Sequence, residues 1–333
     1  MSLSIYTTHI EFSNNSALKQ LVGPQNDLLK IVEKYYDTHI GHRGNIITLT
    51  GPQEGVDKTV RALRYLYDMI IEKYHVDVDI VESIIKNPNN TGSFVPTVNK
   101  NKTQATNPNS TTPPIHLNTR KRIIIPRTEN QTTYIKELLQ SEMIFGIGPA
   151  GTGKSYLAVA GAVDSLLEGK VEKIILCRPA VEAGEKIGFL PGDMKEKVDP
   201  FLRPLMDALN DMLPTETVAK KIATGEIEIA PLAFMRGRTL TNAFIILDEA
   251  QNTTPTQMKM FLTRLGTNSK MVINGDLSQS DLPHGQESGL AHAQKFLKPL
   301  KEIPFIEFNE SDIVRHHLVS KIISAYNAKA PST

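Results

Sequence analysis

Apolar positions along the chain follow two rhythms, and the change between them divides it. From Val56 to Ile71 the residues Val60, Leu63, Leu66, Tyr67 and Ile70 recur at the spacing of one helix face. Pro24 to Tyr36 repeats that spacing through Leu28, Leu29, Ile31 and Val32, and between the two lies Asn45 to Thr50, a β-branched run stopped by Gly51-Pro52. Helix, hairpin and helix predict a small α+β domain over residues 1–86.

Later in the chain the rhythm becomes a series of solidly apolar runs: Met143 to Ile147, Lys173 to Cys177, Phe244 to Leu247, Lys270 to Ile273 and Ile303 to Phe308. Strands apolar on both faces need cover on both faces, which a parallel sheet with crossover helices provides. Tyr156 to Leu167 is apolar around nearly its whole circumference, as expected for a helix buried against that sheet, and Gly169 is placed to end it. A shorter helix runs through Ile135, Leu138 and Leu139. Between the two regions, nineteen of the 32 residues from Asn87 to Asn118 are Asn, Thr or Pro, too few apolar groups to offset the entropy of ordering them. The expected organisation is a domain over 1–86, a flexible linker over 87–118 and an α/β domain over 119–328.

Charge narrows the picture only slightly. The 37 basic and 36 acidic residues give a net charge of +1, and no segment carries a strongly basic footprint, so any nucleic-acid site must be a local patch. Cys177 is the single cysteine, which excludes an intrachain disulfide; at the end of an apolar strand it reads as a small core residue. The N-terminal residues have no basic region followed by an apolar one, and nowhere do about 18 apolar residues run together, so a cytoplasmic protein with no membrane partner is expected. Gly41-His42-Arg43-Gly44 fits either a hairpin turn or the G-x-x-G loop of KH nucleic-acid modules; that loop joins two helices, and the predicted neighbours here are strands.

The chemistry concentrates where the first solid run ends. Gly148-Pro149-Ala150-Gly151-Thr152-Gly153-Lys154-Ser155 fits the G-x-x-x-x-G-K-[ST] phosphate-binding loop at every fixed position, between a predicted strand and a predicted helix that opens through Tyr156. Its glycines let consecutive N–H groups turn towards phosphate oxygens, Lys154 adds a cation, Ser155 offers a hydroxyl to Mg²⁺, and the helix directs its positive end at the anion. Phe244 to Leu247 ends in Asp248-Glu249, at the sheet edge where open α/β folds hold ligands. Asp248 can hold the hydration shell of Mg²⁺, and Glu249 can orient or deprotonate a water, which favours hydrolysis over transfer to a small molecule. One strand later Asn274-Gly275-Asp276-Leu277-Ser278-Gln279 repeats the device, either as a γ-phosphate sensor through Asn274 or Gln279 or as a Gly-Asp turn. Gln131, ahead of the loop, carries an amide able to read adenine, or is a solvated residue at a helix start. The stretch from Arg178 to Arg203, with Lys186, Lys195 and Lys197 offset by five acids, reads as a pliable loop that could track an RNA backbone or as a structural loop.

The segments GIGPAGTGKSYLAVA, RPAVEAGEKIGFLPGDMKEKVDPFLRPLMDAL, MRGRTLTNAFIILDEAQN, NGDLSQSDLP and SDIVRHHLV resemble, in order and spacing, the PhoH family of P-loop ATPases, over about residues 120–326. Gly41 to Ile71 also looks like the small KH-like N-terminal domain of its long members. The resemblance implies an ASCE, RecA-like sheet similar to the motor domain of superfamily 1 helicases, with Asp248-Glu249-Ala250-Gln251 and Gly275-Asp276 through Gln279 matching helicase motifs. It implies ATP and Mg²⁺ as cofactors, Gln131 as an adenine reader, and nucleotide contacts from Gly148 through Tyr156. It further implies hydrolysis linked to single-stranded RNA, ring-like homo-oligomers such as hexamers, and an endoribonuclease partner. With one motor domain, any arginine completing the site must come from a neighbouring subunit; Arg203, Arg236, Arg238 and Arg315 are the candidates, Arg315 being also the one expected to act in catalysis with Gln279. Against the RNA-coupled ATPase stand a nucleotide-gated adaptor that recruits a nuclease without moving a strand, and a small-molecule kinase, which Glu249 and the lack of a lid segment oppose.

Overall fold

The computed structural model describes residues 5–72, 74, 76–86, 115–179, 194–283 and 285–313. Its chain divides into two compact units, one made of residues up to 116 together with Arg122–Glu129, the other of Leu117–Lys121 and everything from Asn130 onward.

The first unit runs β1 (Ile5–Glu11), α1 (Asn15–Val22), α2 (Asp27–Tyr36), β2 (His39–Arg43), β3 (Ile46–Pro52), α3 (Gln53–Ile71) and α4 (Val78–Lys86). Its antiparallel sheet has the order β1-β3-β2. Asn14 starts α1 by accepting from the N–H groups of Ser16 and Ala17. Arg43 pairs with Ile46, so Gly41, His42 and Arg43 lie inside β2 and only Gly44, at φ +65°, enters the turn. The stretch is therefore a hairpin. The expected helix, hairpin and helix are present as α2, β2–β3 and α3; β1, α1 and α4 join them. The core gathers Leu21, Val32, Ile47, Leu49, Leu63 and Met69 and takes in Ile123 and Ile125.

Two short strands follow, β4 (Leu117–Asn118) in the second unit and β5 (Ile123–Ile124) in the first. The second unit then proceeds α5 (Glu129–Gln140), β6 (Met143–Ile147), α6 (Lys154–Leu167), β7 (Lys173–Arg178), α7 (Met194–Met212), α8 (Thr215–Ala223), β8 (Ile227–Pro231), β9 (Ala243–Leu247), α9 (Pro255–Leu262), β10 (Lys270–Gly275), α10 (Gly289–Leu297) and β11 (Phe305–Glu307). Its six strands are all parallel, in the order β11-β6-β10-β9-β7-β8. All five predicted runs are strands, and β8 is added at the edge. The additional strand β10 between the phosphate-loop strand β6 and the acid-bearing strand β9 is the mark of an ASCE sheet. Residues 194–203, read from sequence as part of a pliable loop, are the first turns of α7; residues 180–193 of that stretch lie outside the described residues. No helix among the described residues is long and apolar enough to cross a membrane.

Candidate active site

Parallel register brings the chemistry to one sheet edge. Gly275 pairs with Ile147, Ile273 with Leu247, Leu247 with Cys177 and Arg178 with Pro231, so the segments leaving β6, β10, β9 and β7 emerge side by side. Between them lies a cleft of about 240 Å³, lined by residues that include Gly151, Lys154, Ser155, Asp248, Glu249 and Asp276.

On one side stands the phosphate loop. Gly148 packs so closely that a Cβ there would sit 2.4 Å from the carbonyl oxygen of Phe308, and Gly153 turns into α6 at φ +85°, a conformation side chains resist. Lys154 is 7% exposed, and its Nζ donates to the carbonyls of Gly148 at 2.6 Å and Pro149 at 2.8 Å. Burial pulls its pKa down, opposed by the negative charges of Asp276, Asp248 and Glu249. Gln131, 4% exposed, gives its Nε2 to the carbonyl of Thr152 at 3.0 Å and so braces the loop from behind. Tyr156 lines the cleft while its hydroxyl donates to Asp211 on α7 at 2.7 Å.

Across the cleft stand the acids. The Ser155 hydroxyl donates to Asp248 Oδ1 at 2.5 Å, while Asp248 Oδ2 accepts from Arg178. Glu249 sits at φ +54°, an unfavourable angle for a residue with a Cβ and the kind of outlier that gathers at functional sites. Its Oε1 accepts from Arg178 and its Oε2 from Gln251. Gln251, 1% exposed, also accepts from the N–H of Asp276 at 3.0 Å and donates to the carbonyl of Gln279 at 3.2 Å, which ties the acid turn to the segment after β10. Gln279 lines the cleft with an exposed side chain.

Asn274 lies wholly inside the sheet and accepts the Tyr134 hydroxyl at 2.6 Å. Asp276 is 7% exposed and leaves Oδ2 without a partner among the described residues. A buried carboxylate oxygen beside a buried lysine, a hydroxyl already on Asp248, and a loop of inward-turning glycines fit a nucleotide held with a divalent cation.

The arginine candidates are dispersed. Arg238 is held by both oxygens of Glu228 at 2.6 and 2.7 Å, Arg203 and Arg236 are exposed, and Arg315 lies outside the described residues. Buried Cys177 has its thiol pushed up by desolvation, which suits a core residue. Sequence reasoning placed Arg178 at the start of a candidate RNA-tracking loop and Gln251 in a helicase-like motif, and gave Tyr134 no role; Arg178 instead ends β7 with its guanidinium on the two acids. Gln251 stood next to the acids within the motif, while Arg178 becomes a partner of the site only through strand pairing and Tyr134 only through the packing of α5 on the sheet.

Fold and cleft together define a P-loop nucleoside triphosphatase of the ASCE class. Residues 123–327 match the model of the family described as PhoH-like protein, and the chain belongs to that family. It is 46% identical over 318 residues to a PhoH-like protein of Bacillus subtilis (strain 168), covering 95% of this chain and 96% of the relative. It is 55% identical over 207 residues to a PhoH-like protein of Synechocystis sp., covering 62% of this chain and 63% of the relative. Among solved structures, the Pif1 helicase of Candida albicans aligns with a TM-score of 0.33 and 17% identity, over 61% of this chain and 44% of that one.

Proposed function

We propose that the protein is a Mg²⁺-dependent ATPase that couples hydrolysis to the binding and remodelling of single-stranded RNA, as a cytoplasmic homo-oligomeric ring working beside an endoribonuclease. The observation that carries the hydrolytic part is the Ser155–Asp248 hydrogen bond across the cleft, which sets a hydroxyl and a carboxylate together next to the phosphate loop. Ser155 and Asp248 would hold Mg²⁺, which when bound neutralises phosphate charge. The loop N–H groups and the start of α6 bind the phosphates, and Lys154 supplies a fixed cation to them. Glu249, on a turn held by Gln251, orients the attacking water and takes its proton. Gln279, which lines the cleft on the neighbouring segment, registers the γ-phosphate, whereas Asn274, enclosed in the sheet and bonded to Tyr134, is out of its reach. The RNA part rests on the likeness of the acid and Gly-Asp motifs to helicase motifs. The ring rests on the likeness to the family, and of the arginines that could complete a neighbour's site, Arg203 and Arg236 are exposed and, among the described residues, lack the carboxylate pairing that holds Arg238.

Release of phosphate from labelled ATP, with and without RNA, tests this. Lys154→Ala and Glu249→Gln are each expected to lower turnover about a hundredfold or more while leaving the melting temperature within a few degrees. Nucleotide binding with no turnover in the native protein favours the gated adaptor, and phosphate appearing on a metabolite favours the kinase. The mass of the particle with and without nucleotide tests the ring.

A further inference from the structure

Arg178 ends β7, beside the strand that carries the acids, and its guanidinium reaches both of them. Nε and one terminal NH₂ donate to Asp248 Oδ2 at 3.0 and 2.7 Å, and the same NH₂ donates to Glu249 Oε1 at 3.2 Å. The two arms are unequal. The Asp248 side chain is 3% exposed and held by two bonds; that of Glu249 is 44% exposed and held by one longer bond. Buried charge pairs with good geometry are costly to separate, whereas a half-exposed pair costs little. Arg178 is therefore anchored on Asp248, and its grip on Glu249 can open independently.

That grip matters because of what Glu249 is asked to do. A carboxylate acting as base must present an oxygen to water, and a neighbouring guanidinium opposes this by occupying that oxygen. The other oxygen is already bonded to Gln251 at 2.7 Å. Both oxygens of the proposed base are thus committed to protein donors.

We propose that Arg178 is a brake on the hydrolytic site: it stays bound to Asp248 and restrains Glu249 through a contact that opens for each turnover. The proposal rests on the reading of this cleft as an ATPase and adds regulation to that site. Arg178 acts through Glu249 and is a positioning residue, so its removal should change turnover without changing the affinity for ATP.

The test uses the full chain. Arg178→Gln keeps a donor without the charge, and Arg178→Ala removes both contacts, so the answer does not depend on one variant folding. Both are expected to raise RNA-free kcat about three- to fivefold, the size of one partly exposed ion pair, with KM for ATP unchanged within about twofold. Stimulation by polyuridylate should shrink by the same factor. A rise in kcat cannot come from a damaged fold, and it should vanish when Glu249→Gln is added. Unchanged or lower kcat in both variants overturns the brake while wild-type hydrolysis stands. Absence of hydrolysis in the wild type removes the ATPase reading itself.

Discussion

Asn274 is enclosed on every side. Its Oδ1 takes the Tyr134 hydroxyl, and its Nδ2 has no partner among the described residues. Burial holds the Tyr134 phenol above its ordinary pKa, so it remains a donor at any working pH. Tyr134→Phe would leave both polar atoms of Asn274 unpaired, at a cost of about 1 to 3 kcal/mol, read as a lower urea midpoint with unchanged slope. Asp164 makes a second prediction. It is 4% exposed, accepts from the N–H of Asn118 at 2.7 Å, and burial raises its pKa from 3.8 to about 6. A carboxyl whose folded pKa lies above its unfolded value carries no penalty below pH 3.8, a growing one up to pH 6, and the full one above. Asp164→Asn keeps the acceptor and should stabilise the protein near pH 7.5 by at most about 3 kcal/mol, with little effect near pH 4, as melting at both pH values would reveal. The two kinds of site residue differ in how far the sequence discloses them. The phosphate loop is a contiguous string whose task is performed by its own backbone. Arg178 and Tyr134 meet partners 70 and 140 positions away, one from a neighbouring strand and the other from helix α5, and local spacing holds no record of that.

Helix α9 shows how the acid turn is held at its far end. Thr254 Oγ1 accepts from the N–H of Gln257 at 3.2 Å, and Gln257 Oε1 accepts from the N–H of Thr254 at 2.9 Å, with Pro255 as the first helical residue. Thr254→Ala should cost about 1 kcal/mol and lower the melting temperature by a few degrees, with ATP binding retained. Element type was legible wherever burial was total, since strands covered on both faces are apolar at every position. Strand β1 (IYTTHIE) escaped notice because it forms an edge and exposes most of its length, and β8 (IEIAP) because it is short and only partly buried. Helix α7 was obscured by the Gly- and Pro-bearing stretch before it, whose loop character was carried too far forward.

At the scale of the whole chain, the composition shift at Asn87 was visible, but the route of residues 122–129 was not. Ile123 and Ile125 form a short apolar run like many others, and only the contacts reveal that they complete the first unit's core. Ile125→Ala should therefore destabilise that unit by about 2 to 4 kcal/mol and leave ATP affinity unchanged, which hydrogen exchange on α2 and α3 together with a nucleotide titration would resolve.

Because β10 lies between the strand feeding the loop and the strand bearing the acids, the span separating them is two inter-strand steps, about 9.6 Å. That span is a gauge built from main-chain hydrogen bonds, insensitive to most side-chain changes. Its tolerance is tightest at Gly275, where an added methyl would lie 2.5 Å from Leu290 and 2.8 Å from Gln251. A larger residue there would push the acid turn outward, and the chemistry would fail although every group that performs it remained in place.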